Sequence, residues 1–293
     1  MEIDLRGLKN DCVIKSYAFT SSDYPTTSSS LDVSIYFDED SHIVEIENTA
    51  FKNMRLLFEK DIYDPETGVL DLSKLKYLKK FNTYYTLNFN GNNYSGGSYI
   101  RTNFGTLQKL ILGESVEEFT YSSNGLVRSL DLSRTKIKNM PQLFGVNEII
   151  LPKTVTTIPR IWLEQNGGGY GGYVTGLIDF PETVTSFGFY ALANNGMEIL
   201  IFRNPTPATL NYENANRMYT RLGFMAQLKE IYVPDSAVET YKNDAVWGNQ
   251  WTKSNTEDLE GVNGNKQFKN IIYPLSAYYA KYGEEGWKPG MEI

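Results

Sequence analysis

One short line of side chains, apolar–x–x–apolar–x–apolar, is written again and again along this chain, and that repetition restricts the available folds more than any other feature. In "VNEIIL" its apolar positions are Val146, Ile149 and Leu151. It returns as "LQKLIL" (Leu107, Leu110, Leu112), "VRSLDL" (Val127, Leu130, Leu132) and "MEILIF" (Met197, Leu200, Phe202). Further on stand "LKEIYV" (Leu228, Ile231, Val233) and "FKNIIY" (Phe268, Ile271, Tyr273). Weaker copies led by Thr or Tyr are "TGVLDL" at 67–72, "YYTLNF" at 84–89 and "TGLIDF" at 175–180. Successive copies start 17, 23, 20, 19, 29, 22, 31 and 40 residues apart. The short spacings fall near the period of about 20–29 residues expected of stacked coils, and the long ones imply insertions. Those insertions lie at 89–106, 164–174, 203–227 and 243–267.

A second half-line, apolar–x–x–apolar, usually follows four or five residues after the first. Val116 with Phe119, Ile137 with Met140, Val155 with Ile158, Val184 with Phe187 and Val238 with Tyr241 all fit it. Leu75 with Leu78 and Ile43 with Ile46 extend it upstream. A plain β-sandwich gives alternation and turns, but not two half-lines in register. The x–apolar–x–apolar part is a short strand with one inward face. Proline or polar residues after it end pairing and turn the chain. No single coil can bury its own apolar face, so coils must stack.

These residues resemble the BspA-like leucine-rich repeats of bacterial surface proteins. "LIDFPETVTSFGFYAL" at 177–192 matches that family's line through Phe180, Pro181, Val184, Phe187, Gly188 and Ala191. "IENTAFKNM" at 46–54 carries its Ala50–Phe51 pair, with Met54 where the family often has cysteine. "IYVPDSAVETYKNDAVW" at 231–247 is similar to its C-terminal repeat. The likeness spans about residues 31 to 274, with the cysteine position empty throughout. It implies an α/β-type repeat solenoid in which short parallel strands form one curved sheet with irregular or helical returns. It also implies a role in binding, and it offers no catalytic residues to carry over.

Residues 1–30 stand outside the repeats and end in the polar linker "TSSDYPTTSSS". Next, Leu31, Val33, Ile35 and Phe37 alternate, "DEDS" turns the chain, and Ile43 and Ile46 follow, which predicts a hairpin-like cap. At the other end, residues 275–293 read as a cap and tail: "PLSAYYAKY" as a short capping helix, "GEEGWKPGMEI" as an extended tail.

Chemistry is constrained mostly by what is scarce. A net charge of −7 argues against a nucleic-acid partner, which needs clustered cations, and against a polybasic membrane patch. The single Cys12 and single His42 rule out an intrachain disulfide, a thiolate cluster and a two-histidine metal site. His42 reads as a turn histidine rather than a general base. Asp38–Glu39–Asp40 lacks the spaced ligands of a calcium loop. "NGGGYGG" at 166–172 lacks the Gly-Lys-Ser/Thr of a phosphate loop. No catalytic residue, metal or cofactor is expected. No apolar run nears the ~18 residues that span a bilayer, and the charged N-terminus carries no secretory h-region.

Binding is therefore the expectation, and two surfaces offer it. In each strand the residues between the inward positions share the opposite face. That row contains Lys109, Ile111, Asp131, Glu148, Ile150, Leu177, Asp179, Ile199, Ile201, Glu230 and Tyr232, with Ile272 beyond them. It is too apolar for a face meant only for water, so either a partner or a folded-back insertion covers it. The second surface is "NFNGNNYSGGSY" and "QNGGGYGGY", whose Tyr94, Tyr99, Tyr170 and Tyr173 suit contact loops. The reading is an adhesion module for a protein or glycan at a microbial surface, extracellular if an export signal was trimmed. The alternative is a structural or receptor-binding component of a bacteriophage tail or virion, a subunit of a larger assembly.

Overall fold

The computed structural model describes residues 2–16, 18, 31–47, 54–58, 62–64, 66–82, 107–120, 127–143, 146–163, 174–193, 196–211, 221–223, 225, 227–252, 265–288 and 291–292. Among these the chain is mostly parallel strands in several sheets, with few helices. It divides into two compact units, Met1–Ile137 with Leu143–Val146, and Lys138–Gln142 with Asn147–Ile293.

The first unit begins with β1 (Glu2–Asp4), β2 (Cys12–Ile14), β3 (Leu31–Tyr36), β4 (Ile43–Ile46) and β5 (Met54–Phe58). It continues with β6 (Tyr63–Asp64), β7 (Val69–Asp71), β8 (Lys80–Asn82), β9 (Leu107–Ile111), β10 (Glu118–Thr120) and β11 (Val127–Asp131). Parallel sheets run β1-β3-β5, β2-β4-β8-β10 and β7-β9-β11, with β6 antiparallel on β7. Consecutive strands mostly enter different sheets, because parallel neighbours cannot be joined by a tight hairpin. Leu70, Leu110 and Leu130 are aligned across β7, β9 and β11, and all three are buried. Ile14, Ile46, Phe81 and Phe119 form a second buried row across β2, β4, β8 and β10.

Two expectations change here. The half-lines do not merely return apolar side chains to the core. Several are strands in ladders of their own, so there are several sheets rather than one curved sheet. Nor do residues 31–46 form a hairpin. β3 pairs parallel to β1, and β4 parallel to β2, so the N-terminal segment supplies partner strands. The "DEDS" turn helps to set this course. The Asp38 amide donates to Ser41 Oγ at 3.0 Å, and Ser41 Oγ donates to Asp38 Oδ1 at 2.7 Å. The Gly7 amide, from the β1–β2 connection, donates to Asp38 Oδ2 at 3.1 Å and so stacks one turn on the other. His42 lies against Tyr77 with ring centroids 3.7 Å apart and its Nδ1 3.5 Å from Asp11, a packed turn position.

In the second unit come β12 (Glu148–Ile150), β13 (Thr157–Ile158), β14 (Thr175–Phe180), β15 (Ser186–Phe187), β16 (Gly196–Phe202) and β17 (Thr209–Leu210). After them come β18 (Glu230–Val233), α1 (Val238–Asn243), β19 (Ile272–Pro274) and α2 (Leu275–Tyr282). β14-β16-β18-β19 is one parallel sheet and β13-β15-β17 another. Ile178, Leu200, Ile231 and Ile272 are aligned and buried, as are Ile158, Phe187 and Leu210 in the second sheet. The last copy is shifted by one residue from the sequence template. A 3-10 turn at Phe268–Asn270 precedes β19, so Ile272 rather than Ile271 pairs with Ile231, and Tyr273 takes the outward place. A one-residue slip exchanges the two faces of a strand.

Inside the second unit, Phe180, Phe187, Phe202, Tyr241 and Trp247 make a chain of ring contacts, mostly edge-to-face, with centroids 4.8 to 6.4 Å apart. A third contact row runs from Ile161 and Leu163 to Phe189 and Ala191 and on from Tyr190 and Leu192 to Arg221 and Leu222, through backbone hydrogen bonds of 2.7 to 3.1 Å. Ile161 and Tyr190 hold left-handed φ values of 55° and 59° in that row, which non-glycine residues adopt only under tertiary constraint.

Candidate functional site

The outward row of the second unit is split into a covered part and an open part. Ile199, Ile201 and Tyr232 were expected on an exposed binding face, yet they are 0%, 1% and 2% accessible. The cover is the C-terminal segment. Tyr278 of α2 packs on them, flanked by Leu275, Ala277, Tyr279, Tyr282 and Trp287. Hydrophobic area on a sheet face is stabilised only when something lies on it, and here the chain's own end does so. A fold-back was one of the two readings of this face, but the segment responsible is the C-terminal one, not an internal insertion.

Polar members of the row fasten this cover. Glu230 accepts from Lys281 Nζ at 2.7 Å on one oxygen, and from the Tyr232 and Tyr282 hydroxyls at 2.8 and 3.0 Å on the other. Burial alone raises the Glu230 pKa, but those three donors outweigh it and hold the carboxyl below its ordinary value. Asp179 takes a bidentate contact from Arg203, with Nε to Oδ1 at 2.8 Å and Nη2 to Oδ2 at 2.7 Å. Arg203 Nη2 also donates to the Tyr279 hydroxyl at 3.2 Å. Asp179 and Glu230 are thus engaged within the chain. Trp287 sits against Gly176, where a Cβ would lie 2.1 Å from the indole. Gly176 also has φ +78°, so only glycine leaves this notch free of both clash and strain.

The Glu230 contacts make α2 acid-sensitive. A carboxyl whose folded pKa is depressed contributes stability that is present above its unfolded pKa, about 4.3, and is lost as pH falls through the lower folded value. Hydrogen exchange at α2 amides is expected to accelerate below about pH 4 in the unaltered chain. Glu230→Gln should lack that acid step. An identical pH profile in the variant would show that Glu230 does not hold the helix.

The open part of the row lies beside the cover. Ile150, 47% accessible, borders a cleft of about 670 Å³ that is also lined by Lys153, Leu177, Asp179, Glu182 and Arg203. Ile149, Ile150, Leu151 and Leu177 give it aliphatic lining, and the Lys153 and Glu182 side chains stand at it exposed, carrying opposite charges. Such a volume, with aliphatic lining and a few charges, suits an inserted side chain or small ligand. Glu148, also expected here, is exposed on β12.

In the first unit, Lys109 Nζ and Asp131 Oδ2 are 3.1 Å apart, and Ile111 is half-buried beside them. Asp131 also accepts from the Ser133 amide and hydroxyl at 3.1 and 2.7 Å. Burial opposes its charge, but Ser133 and Lys109 outweigh burial and lower its pKa. Lys109 and Asp131 therefore serve a strand-to-turn corner. Tyr94, Tyr99, Tyr170 and Tyr173 lie outside the described residues.

Sequence reasoning missed Lys153, Glu182 and Arg203. They follow the strand lines rather than occupy them, and only Arg203, next to the template residue Phe202, carried any signal. Among the described residues no group of three His, Cys, Asp or Glu could hold a metal ion, and no helix is long and apolar enough to cross a membrane. No protein-family model matches this sequence, and no curated protein does.

Proposed function

We propose that this chain is a non-catalytic binding module, a leucine-rich-repeat solenoid of the BspA-like kind that engages a protein partner at a microbial surface through the cleft at Ile150. The observation that carries this reading is a large aliphatic side chain, 47% accessible, on a strand face where Ile199, Ile201 and Tyr232 are covered. Lone exposed aliphatics are ordinary, but this one forms the lip of a cleft with charges of both signs. A protein side chain placed on Ile150 and Leu177 meets Lys153 and Glu182 with matching charges. The solenoid reading rests on the repeated line and on the aligned rows Leu70–Leu110–Leu130 and Ile178–Leu200–Ile231.

The test is Ile150→Asp combined with Lys153→Glu, measured against immobilised extracellular-matrix proteins and a glycan array. Both sites are exposed, so the fold should survive. Binding to a matrix protein should fall at least tenfold, the scale of a central contact residue. Unchanged binding with the fold intact would remove the cleft from the reading, and binding to glycans alone would replace the protein partner.

A further inference from the structure

The C-terminal segment has the properties of a bound peptide that happens to be covalently attached. Its seat is built without it. Ile199, Ile201 and Tyr232 stand on β16 and β18, which are hydrogen-bonded to each other and to β14 and β19. The opposite faces of those strands, through Leu200, Phe202 and Ile231, supply the buried core. The contact under α2 is thus a separate layer, and lifting the segment removes no side chain from the aromatic interior.

The segment itself is lightly held. α2 has eight residues, too few to persist as an isolated helix. Of its side chains only Tyr278 is buried. It starts at Pro274, which supplies no cap of its own, with the Ser276 amide donating to Asp235 Oδ1 at 2.9 Å, and it stops at Gly283, φ +79°. What fixes it is specific: Lys281 and Tyr282 on Glu230, the Ser276 amide on Asp235, the Arg203–Tyr279 contact and the Gly176 notch for Trp287. These features describe recognition, because each names a chemistry. From the segment Glu230 takes an ammonium and one phenol, its remaining donor being Tyr232 of the face itself; the apolar rungs take a tyrosine ring, and the notch takes an indole.

We infer that the strand face around Glu230 is a peptide-recognition surface, held closed by residues 275–288, and that it accepts in trans a helical segment carrying tyrosines, a lysine and a tryptophan in the order found there. The inference stands apart from the ligand of the Ile150 cleft and survives if that cleft binds nothing. The attached copy conceals the site. Joined directly to β19, it has an effective concentration on the order of mM or higher, so a free peptide competes poorly until the attached copy is weakened.

The probe is a labelled synthetic peptide with the sequence of residues 275–288, titrated into the full-length chain by fluorescence anisotropy. Lys281→Ala with Trp287→Ala weakens the attached copy and leaves the face intact. This variant should bind the peptide at least tenfold more tightly than the unaltered chain. Adding Gly176→Ala, which fills the notch, should abolish the gain. A folded double variant with no gain, or a gain that survives Gly176→Ala, overturns the inference. Should the double variant not fold, hydrogen exchange on the unaltered chain decides. Amides of α2 should exchange well before those of β16 and β18, and equal protection of both overturns the inference.

Discussion

Gly188→Ala is expected to be among the most damaging single changes in the second unit, costing about 3 kcal/mol, the upper end of over-packing effects. An added Cβ would lie 2.2 Å from the Arg160 nitrogen and 2.6 Å from both Arg160 Cα and the Pro159 carbonyl carbon. These are backbone atoms of the preceding coil, so no side-chain rotation relieves the clash. The same glycine donates its amide to Ile158 O at 2.8 Å, which fixes the separation between the coils. Pushing them apart also strains the adjacent bond from the Ile161 amide to Phe189 O. Gly7→Ala provides the contrast. A Cβ there meets nothing within 4 Å, but φ is +71°, so the cost is conformational only, about 1 kcal/mol. Thermal denaturation should show a drop of roughly 10 °C for Gly188→Ala and a much smaller one for Gly7→Ala. Equal effects would mean that the two coils do not approach each other as closely as described.

Trp247→Ala should match or exceed that loss, at about 3–5 kcal/mol for a fully buried aromatic. Trp247 is 1% accessible and stands edge-on to Phe187, Phe202 and Tyr241, at 6.2, 4.8 and 5.1 Å between centroids. Its indole N–H donates to Ala208 O at 2.6 Å, so truncation leaves both a cavity and a buried carbonyl without its donor. Tyr241, which gives its hydroxyl to Asn204 O at 2.9 Å, would lose a neighbour; burial already raises its pKa. Trp247→Phe separates the two contributions, since it keeps most of the ring and loses the N–H, and should cost about 1–2 kcal/mol. Urea denaturation of the pair checks the order. A Phe variant as damaged as the Ala variant would mean that the hydrogen bond, not the packing, dominates.

Both residues were visible in the sequence, though not for these reasons. Gly188 belongs to the "SFG" of the line at 177–192, and Trp247 closes the "AVETYKNDAVW" segment. The pattern placed them in a repeat, but the distance from Gly188 to Arg160 exists only once two coils lie side by side. The inward positions were the most legible part. Leu110, Leu130, Leu200 and Ile231 were read as core from spacing alone and are all 0% accessible. Among the described residues the inward slip at Ile271 and Ile272 came from a turn that the six-residue template does not contain.

The outward positions were legible only as a set. Spacing placed Ile150, Ile199, Ile201 and Tyr232 on one face, and the registers of β14, β16 and β18 align the residues of that face. It could not separate the exposed Ile150 from the covered three, because α2 lies more than forty residues beyond β18 in the chain. Nor could it show that Asp179 and Glu230, which read as binding residues, hold that helix down. Which side chains face inward follows from the period of the backbone, a local property written every few residues. Which outward side chains meet solvent depends on where a distant segment comes to rest, and that is fixed by the fit of Tyr278, Lys281 and Trp287 to a seat that exists only after the strands have paired.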